Sequence, residues 1–213
     1  MNAMFGRGGA EADRASDGFP KGLAFGVVTE NDGDPEGLGR VRVRLELHAE
    51  GQSSFWARVA APMAGPEMGF YALPEVDDEV LVGFIAEDPS HPVVLGGVWN
   101  AQRLPPETNP AGEANDRRLW RSRSGHEFRF DDGDAHEIEL KLADGPRVHL
   151  TQDVALLEDA NGNMVQIEAS GAITIKGSTS ITLEAPTVTI DAQQAEVKGS
   201  ANCKVSGALV EIN

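Results

Sequence analysis

MVQIEASGAITIKGSTSITLEAPTVTIDAQQAEVKGSANCKVSGALVEIN, residues Met164–Asn213, carries its apolar residues in i, i+2 pairs: Val165/Ile167, Ile173/Ile175, Ile181/Leu183, Val188/Ile190, Ala195/Val197, Cys203/Val205 and Val210/Ile212. The first members are 8, 8, 7, 7, 8 and 7 positions apart. An i, i+2 spacing puts both side chains of a pair on one face of a strand, and the intervening SGA, KGSTS, EAPT, DAQQ and KGSAN are turn formers. Each unit is therefore a short strand with one apolar face. A single chain needs roughly 20 residues per coil to close around its own core, so a period of seven to eight supplies about a third of a coil. Two further copies of the same chain supply the rest. This predicts a trimeric intertwined β-helix, or β-prism, in which each chain moves one wall onward per repeat. Its core would be Val165, Ile167, Ile173, Ile175, Ile181, Leu183, Val188, Ile190, Val197, Val205 and Ile212.

Working back along the chain, residues 118–163 read as a stalk of β-strands. Phe128 and Phe130, then Ile138, Leu140 and Leu142, then Val148 and Leu150 alternate with polar residues around two turn clusters. Residues 101–117, AQRLPPETNPAGEANDR, hold three prolines and no periodicity, and read as a linker. Residues 19–100 read as about five short strands, in the runs LAFGVVTEN, RVRVRLEL, FWARVAAPMA, then, after the loop GPEMG, FYALP, VLVGFIAE and VVLGGVWN. In the second of these, Val41, Val43, Leu45 and Leu47 alternate with Arg40, Arg42, Arg44 and Glu46, giving one buried and one wet face. Five strands in about eighty residues suit a small closed barrel of the OB type. Residues 1–18, polar and Gly-rich, read as a flexible arm. The fold class expected is all-β: an N-terminal OB-fold barrel followed by a C-terminal trimeric β-helix.

The formal charge of −16 repels phosphate backbones, so nucleic acid is not an expected partner of the barrel, and aromatic residues, at 6%, are too sparse for a stacking platform. The Arg40, Arg42, Arg44 stripe is offset by surrounding carboxylates. One cysteine, Cys203, excludes an intrachain disulfide framework and the paired ligands of a zinc site. No apolar run approaches the length of a membrane-spanning helix, and the first residues lack the apolar stretch of a secretory signal. The expectation is a chain made in the cytoplasm. His126, His136 and His149 lie near Asp131, Asp132 and Asp134, but the spacings match no standard ligand set. The acidic turn Asp32–Gly37 resembles a calcium loop without its bidentate glutamate, and reads as a hairpin turn. Ser124–His126 lacks the glycines of a hydrolase elbow, so no catalytic residue, metal ligand or cofactor site is assigned.

The stretch GLGRVRVRLEL … WARVAAPMAG … GFYALPEVDDEVLVGFIAEDPSHPVVLGGVWN resembles the OB domain of phage baseplate assembly protein V and of the valine-glycine repeat spike proteins of type VI secretion. Gly39, Arg40, Val41, Val43, Trp56, Arg58, Val59, Gly69, Pro74, Asp78, Glu79, Val80, Val82, Phe84, Asp88, Pro89, Pro92, Gly96 and the Trp99–Asn100 end stand where that pattern expects them. The terminal repeat is similar to the stalk of the same family. The resemblance implies a homotrimeric, non-enzymatic central spike of a contractile injection machine, driven through a target membrane on firing. Because the barrel begins near residue 19, a separate hub protein is expected on its N-terminal side, and the short linker leaves no room for a lysozyme domain. Histidine is absent after His149, so an axial iron site of the kind some phage relatives use is not expected. A tip protein resembling the PAAR-repeat proteins is expected instead on Leu209, Val210, Ile212 and Asn213. The alternatives are a trimeric tail fibre or adhesin, and an OB-fold nucleic-acid or saccharide binder.

Overall fold

A computed structural model describes residues 22–45, 53–134 and 136–211. The expected N-terminal arm, Leu47, and the last two tip residues, Ile212 and Asn213, lie outside the described residues. The chain divides into two compact units, Met1–Thr108 and Asn109–Asn213, and the division falls inside the proline-bearing stretch 101–117. Both units are built from strands.

In the first unit, β1 (Leu23–Glu30), β2 (Arg42–Leu45), β3 (Arg58–Val59), β6 (Glu79–Phe84) and β7 (Pro92–Gly97) form one sheet in the order β2-β1-β6-β7-β3. Its two ends are joined. Val41 and Ala57 exchange backbone hydrogen bonds of 3.0 and 2.7 Å, so the edge at β2 meets the edge at β3. Ser54 extends the seam: its N–H donates to the Val43 carbonyl at 2.7 Å, and its hydroxyl meets the Val43 N–H at 3.0 Å. Closure removes the unpaired edges that would otherwise invite another strand. The core inside is small and mostly valine: Val28, Val41, Val43, Leu45, Ala57, Val80, Val82 and Val94 are buried. The alternation read in RVRVRL holds, with Val41, Val43 and Leu45 inward and the arginines outward.

One detail differs from the reading of the sequence and one agrees with it. FYALP forms no strand; instead GPEMG closes a two-stranded hairpin of β4 (Ala64–Gly65) and β5 (Met68–Gly69), with the residues after it crossing in irregular backbone. The outward arginines are individually engaged. Arg40 forks onto the Asp34 carboxylate at 3.0 and 2.6 Å, while Arg42 lies over the Trp56 ring, 5.1 Å from its centroid.

Asp34 explains why Asp32–Gly37 is a turn and not an ion loop. Its carboxylate accepts the backbone N–H groups of Glu36, Leu38 and Arg40 in addition to the Arg40 guanidinium. All of these favour the ionised form, the Arg40 pairing most, so its pKa lies well below the ordinary 3.8. A depressed folded-state pKa means that the contribution to stability is complete above the unfolded value and is lost as pH falls through the folded one. The expected result for Asp34→Asn is a lower melting temperature whose difference from the parent is constant at neutral pH and shrinks steadily below about pH 4. Thermal unfolding at a series of pH values measures this; a difference that widened in acid would contradict it.

The second unit is one seven-stranded antiparallel meander: β8 (Arg117–Arg121), β9 (Glu127–Asp131), β10 (Glu137–Lys141), β11 (Arg147–Leu150), β12 (Val154–Glu158), β13 (Met164–Glu168) and β14 (Ile173–Lys176), each paired with its neighbours in sequence. The sheet runs through position 164 without a break. For Val165, Ile167, Ile173 and Ile175 the arrangement differs from a wall change at every repeat, because β13 and β14 pair with each other. The reason is local. Gly171, at φ +90°, takes the left-handed conformation that lets Glu168–Ala172 reverse the chain tightly, with the Gly171 N–H donating to Glu168 and the Glu168 N–H to Ala172. Among the described residues after Lys176 there is no strand, and every residue from Ser178 to Glu211 is exposed.

Candidate assembly interface

Antiparallel register matches side chains across the second sheet in columns. One column runs Trp120, Phe128, Leu140, Val148, Leu157, Val165, Ile175. The next runs Phe130, Ile138, Leu150, Ala155, Ile167, Ile173. Successive residues alternate faces, so both columns occupy the same side. Phe128 and Phe130 sit on it with ring centroids 4.6 Å apart.

This apolar side is bare within the chain. Trp120 (56%), Leu140 (57%), Leu157 (49%), Ile167 (49%), Ile173 (67%) and Ile175 (58%) are among eleven large side chains of the two columns that stay exposed. Eleven such side chains, each leaving about half of roughly 180 Å² in solvent, present on the order of 1,000 Å², near the per-partner area of a stable protein interface. Soluble monomers rarely leave so large a contiguous apolar patch uncovered.

The opposite side is an ion-pair ladder. Arg129 bridges Glu137 and Glu139, both at 3.2 Å; Arg147 bridges Glu139 at 3.2 Å and Glu158 at 2.6 Å; His149 meets Glu137 at 2.6 Å. Glu139 is buried between the two arginines, at 6% exposure. The bond to Glu158, and then that to Glu139, raises the Arg147 pKa above its ordinary value. A wall with one charged and one apolar side faces water with the first and needs a partner for the second.

The positions singled out from the sequence divide into two groups. Val165, Ile167, Ile173 and Ile175 are brought together at one end of the apolar side. Ile181, Leu183, Val188, Ile190, Val197, Val205, Leu209 and Val210 lie beyond the sheet and are exposed. Trp120, Ala155 and Leu157 belong to the columns and were not foreseen. In LW (Leu119–Trp120) and VALL (Val154–Leu157) consecutive apolar residues hide the period of two. The readable signal there was the DANGN turn, which fixes where β12 must end: Asp159 accepts the N–H groups of Asn161 and Asn163.

The Ser–His–Asp grouping among the described residues does not make a nucleophile–base pair. Ser90, His91 and Asp88 cluster in the β6–β7 loop, but the Ser90 hydroxyl and the Asp88 carboxylate both meet the same ring nitrogen, His91 Nδ1, at 3.0 Å. A relay needs the two partners on opposite nitrogens. Asp88 is held below the ordinary carboxylate range, chiefly by Ser90, as a loop-fixing acceptor. Among the described residues no group of three His, Cys, Asp or Glu side chains is placed to hold a metal ion.

The chain carries a closed five-stranded barrel and, in its second unit, a β-sheet with a bare apolar side. Residues 24–99 match the family described as the type VI secretion system/phage-baseplate injector OB domain. The chain is 36% identical over 129 residues to the type VI secretion system spike protein VgrG4b of Pseudomonas aeruginosa, covering 54% of this chain and 16% of that protein. It is 34% identical over 91 residues to VgrG1a of the same organism, covering 41% and 14%. It is 38% identical over 76 residues to the actin cross-linking toxin VgrG1 of Vibrio cholerae, covering 34% and 7%. This chain thus spans less than a fifth of the length of these relatives. Residues 24–99 carry an injector OB domain, and the chain is similar to VgrG proteins over part of its length.

Proposed function

We propose that the chain is the homotrimeric, non-enzymatic central spike of a contractile injection system or phage tail baseplate, which punctures a target envelope mechanically. The observation that carries this reading is the two-column apolar side, bare in the chain and continued in the same two-per-strand gauge by Ile181/Leu183, Val188/Ile190, Ala195/Val197, Cys203/Val205 and onward. Three copies closed about one axis cover that side with its own like. The barrel meets a separate hub at the inner tube, and the last repeat receives a PAAR-repeat-like tip protein at one copy per three chains. The acidic charge supports the absence of nucleic acid among the partners.

Native mass spectrometry of the full chain is the direct test and is expected to give a trimer; a stable monomer would overturn the reading. Cys203, the only thiol, is in phase with the apolar pairs. A short bismaleimide is therefore expected to link chains through it in the native state and to fail after denaturation. The tip assignment is tested separately. Pull-down from the native operon with the full chain is expected to recover a small tip protein, and truncation after Gly199 is expected to lose it; equal recovery by both would refute the assignment.

A further inference from the structure

The second unit presents its apolar pairs in two states. From β8 to β14 the strands already bond to one another within the chain, so the apolar side exists as a preformed surface. From Ser178 on the same gauge continues on exposed chain that forms no strand among the described residues, and the Ser178 N–H donates to Asn163 Oδ1 at 2.6 Å. These halves have different requirements for association. A preformed sheet loses little further freedom on docking, whereas the tail must order its backbone and find its strand partners in the same event.

We infer that the meander is the trimerisation unit and the tail is its client: the three sheets dock first through their apolar sides, and the residues beyond Gly177 exchange strands between chains only once the sheets hold them in register. The occupant of the apolar side is a further copy of this chain. Its exposed area is of the order that a stable interface removes from each partner, its column spacing continues into the repeat, and its opposite side carries a ladder of ion pairs. The inference rests on the trimeric reading above. It differs from a trimer zipped from its C-terminal repeat, in which the tail would hold the chains together and the sheets would follow.

The test compares full chains carrying Leu140→Asp on the sheet or Leu183→Asp in the tail, by sedimentation equilibrium and hydrogen exchange. Leu140 is 57% exposed within its own chain, so aspartate there disturbs the protomer little. The expected result for Leu140→Asp is a monomer with exchange protection retained in β9–β11 and a trimer affinity at least 100-fold weaker. Leu183→Asp is expected to remain trimeric while protection beyond Gly177 falls at least tenfold. A trimeric Leu140→Asp overturns the inference, and so does dissociation of both variants. Should Leu140→Asp lose its sheet, Val165→Thr, which keeps the side-chain shape, takes its place with an expected weakening of at least tenfold, and an unchanged affinity overturns the inference. A monomeric parent chain would instead refute the trimeric reading itself.

Discussion

Valine in place of Gly26 is expected to lower the stability of the barrel unit by at least ~3 kcal/mol, the upper end for overpacking a well-filled core. Gly26 lies in β1, paired to Leu45 on one side and Val80 on the other, and its inward face looks at the valine core. A Cβ built there overlaps Val43 Cγ1, comes within 3.1 Å of Leu45 Cδ2 and 3.0 Å of the Arg44 carbonyl oxygen. Relief by side-chain rotation is blocked, because Val43 and Leu45 are buried and the carbonyl belongs to the neighbouring strand. The remaining route is to part β1 from β2, which opens the barrel next to its Val41–Ala57 seam. Urea unfolding followed through Trp56, with hydrogen exchange across β1 and β2, measures the effect; an unchanged midpoint would mean that the two strands are further apart than described.

Ile190→Asp is expected to unravel the terminal repeat of the assembled protein. Threefold closure would gather three carboxylates about one axis, each costing several kcal/mol to desolvate while ionised. Within the chain Ile190 is 78% exposed, so the protomer itself is indifferent to the change. Limited proteolysis is expected to clip the variant beyond Gly177 while the parent resists. The pH dependence adds a signature. Desolvation and mutual repulsion raise the pKa of these carboxyls, so the penalty is full above the raised value and is relieved as pH falls through it. Protection is therefore expected to return in mild acid; equal protease resistance of both chains at neutral pH would show that Ile190 does not face the axis.

Much of the barrel was legible in the sequence because its code is local. Val41, Val43 and Leu45 alternate cleanly with arginines, and Val80 and Val82 alternate with Glu79 and Leu81, so period and burial agree. Closure was expected from the strand count, but the seam that makes it was not legible. The seam depends on Ser54 and Ala57 meeting Val41 and Val43, in a segment where Phe55 is 64% exposed and the buried residues are a serine and a small alanine. Phe55 points outward, the wrong way for a hydrophobicity argument. Arg40, Arg42 and Arg44 looked like a single stripe, yet Asp34, Glu30 and Trp56 engage the first two at close range. Such pairings depend on turn geometry, which residue type does not encode.

In the second unit the apolar pairs of the repeat were visible, whereas their partition into a self-paired sheet and a tail beyond it was not. Spacing reports which side chains share a face and is silent on which strand lies alongside. Gly171 permits the hairpin that ties β13 to β14, while KGSTS and EAPT, which read equally well as turns, lead into chain that forms no strand among the described residues. The choice between pairing within a chain and between chains lies in the geometry of single turns.

The column matching across the meander also bears on how such a protein changes size. Every hairpin delivers two residues to each column and returns the chain to the side it left. Whole hairpins are thus interchangeable modules: gain or loss of one shifts the length of the wall by two strand spacings, about 10 Å, and leaves both columns continuous. Gain or loss of a single strand would send the chain out on the opposite side. A sheet built this way can lengthen or shorten only in discrete steps of one turn-flanked strand pair.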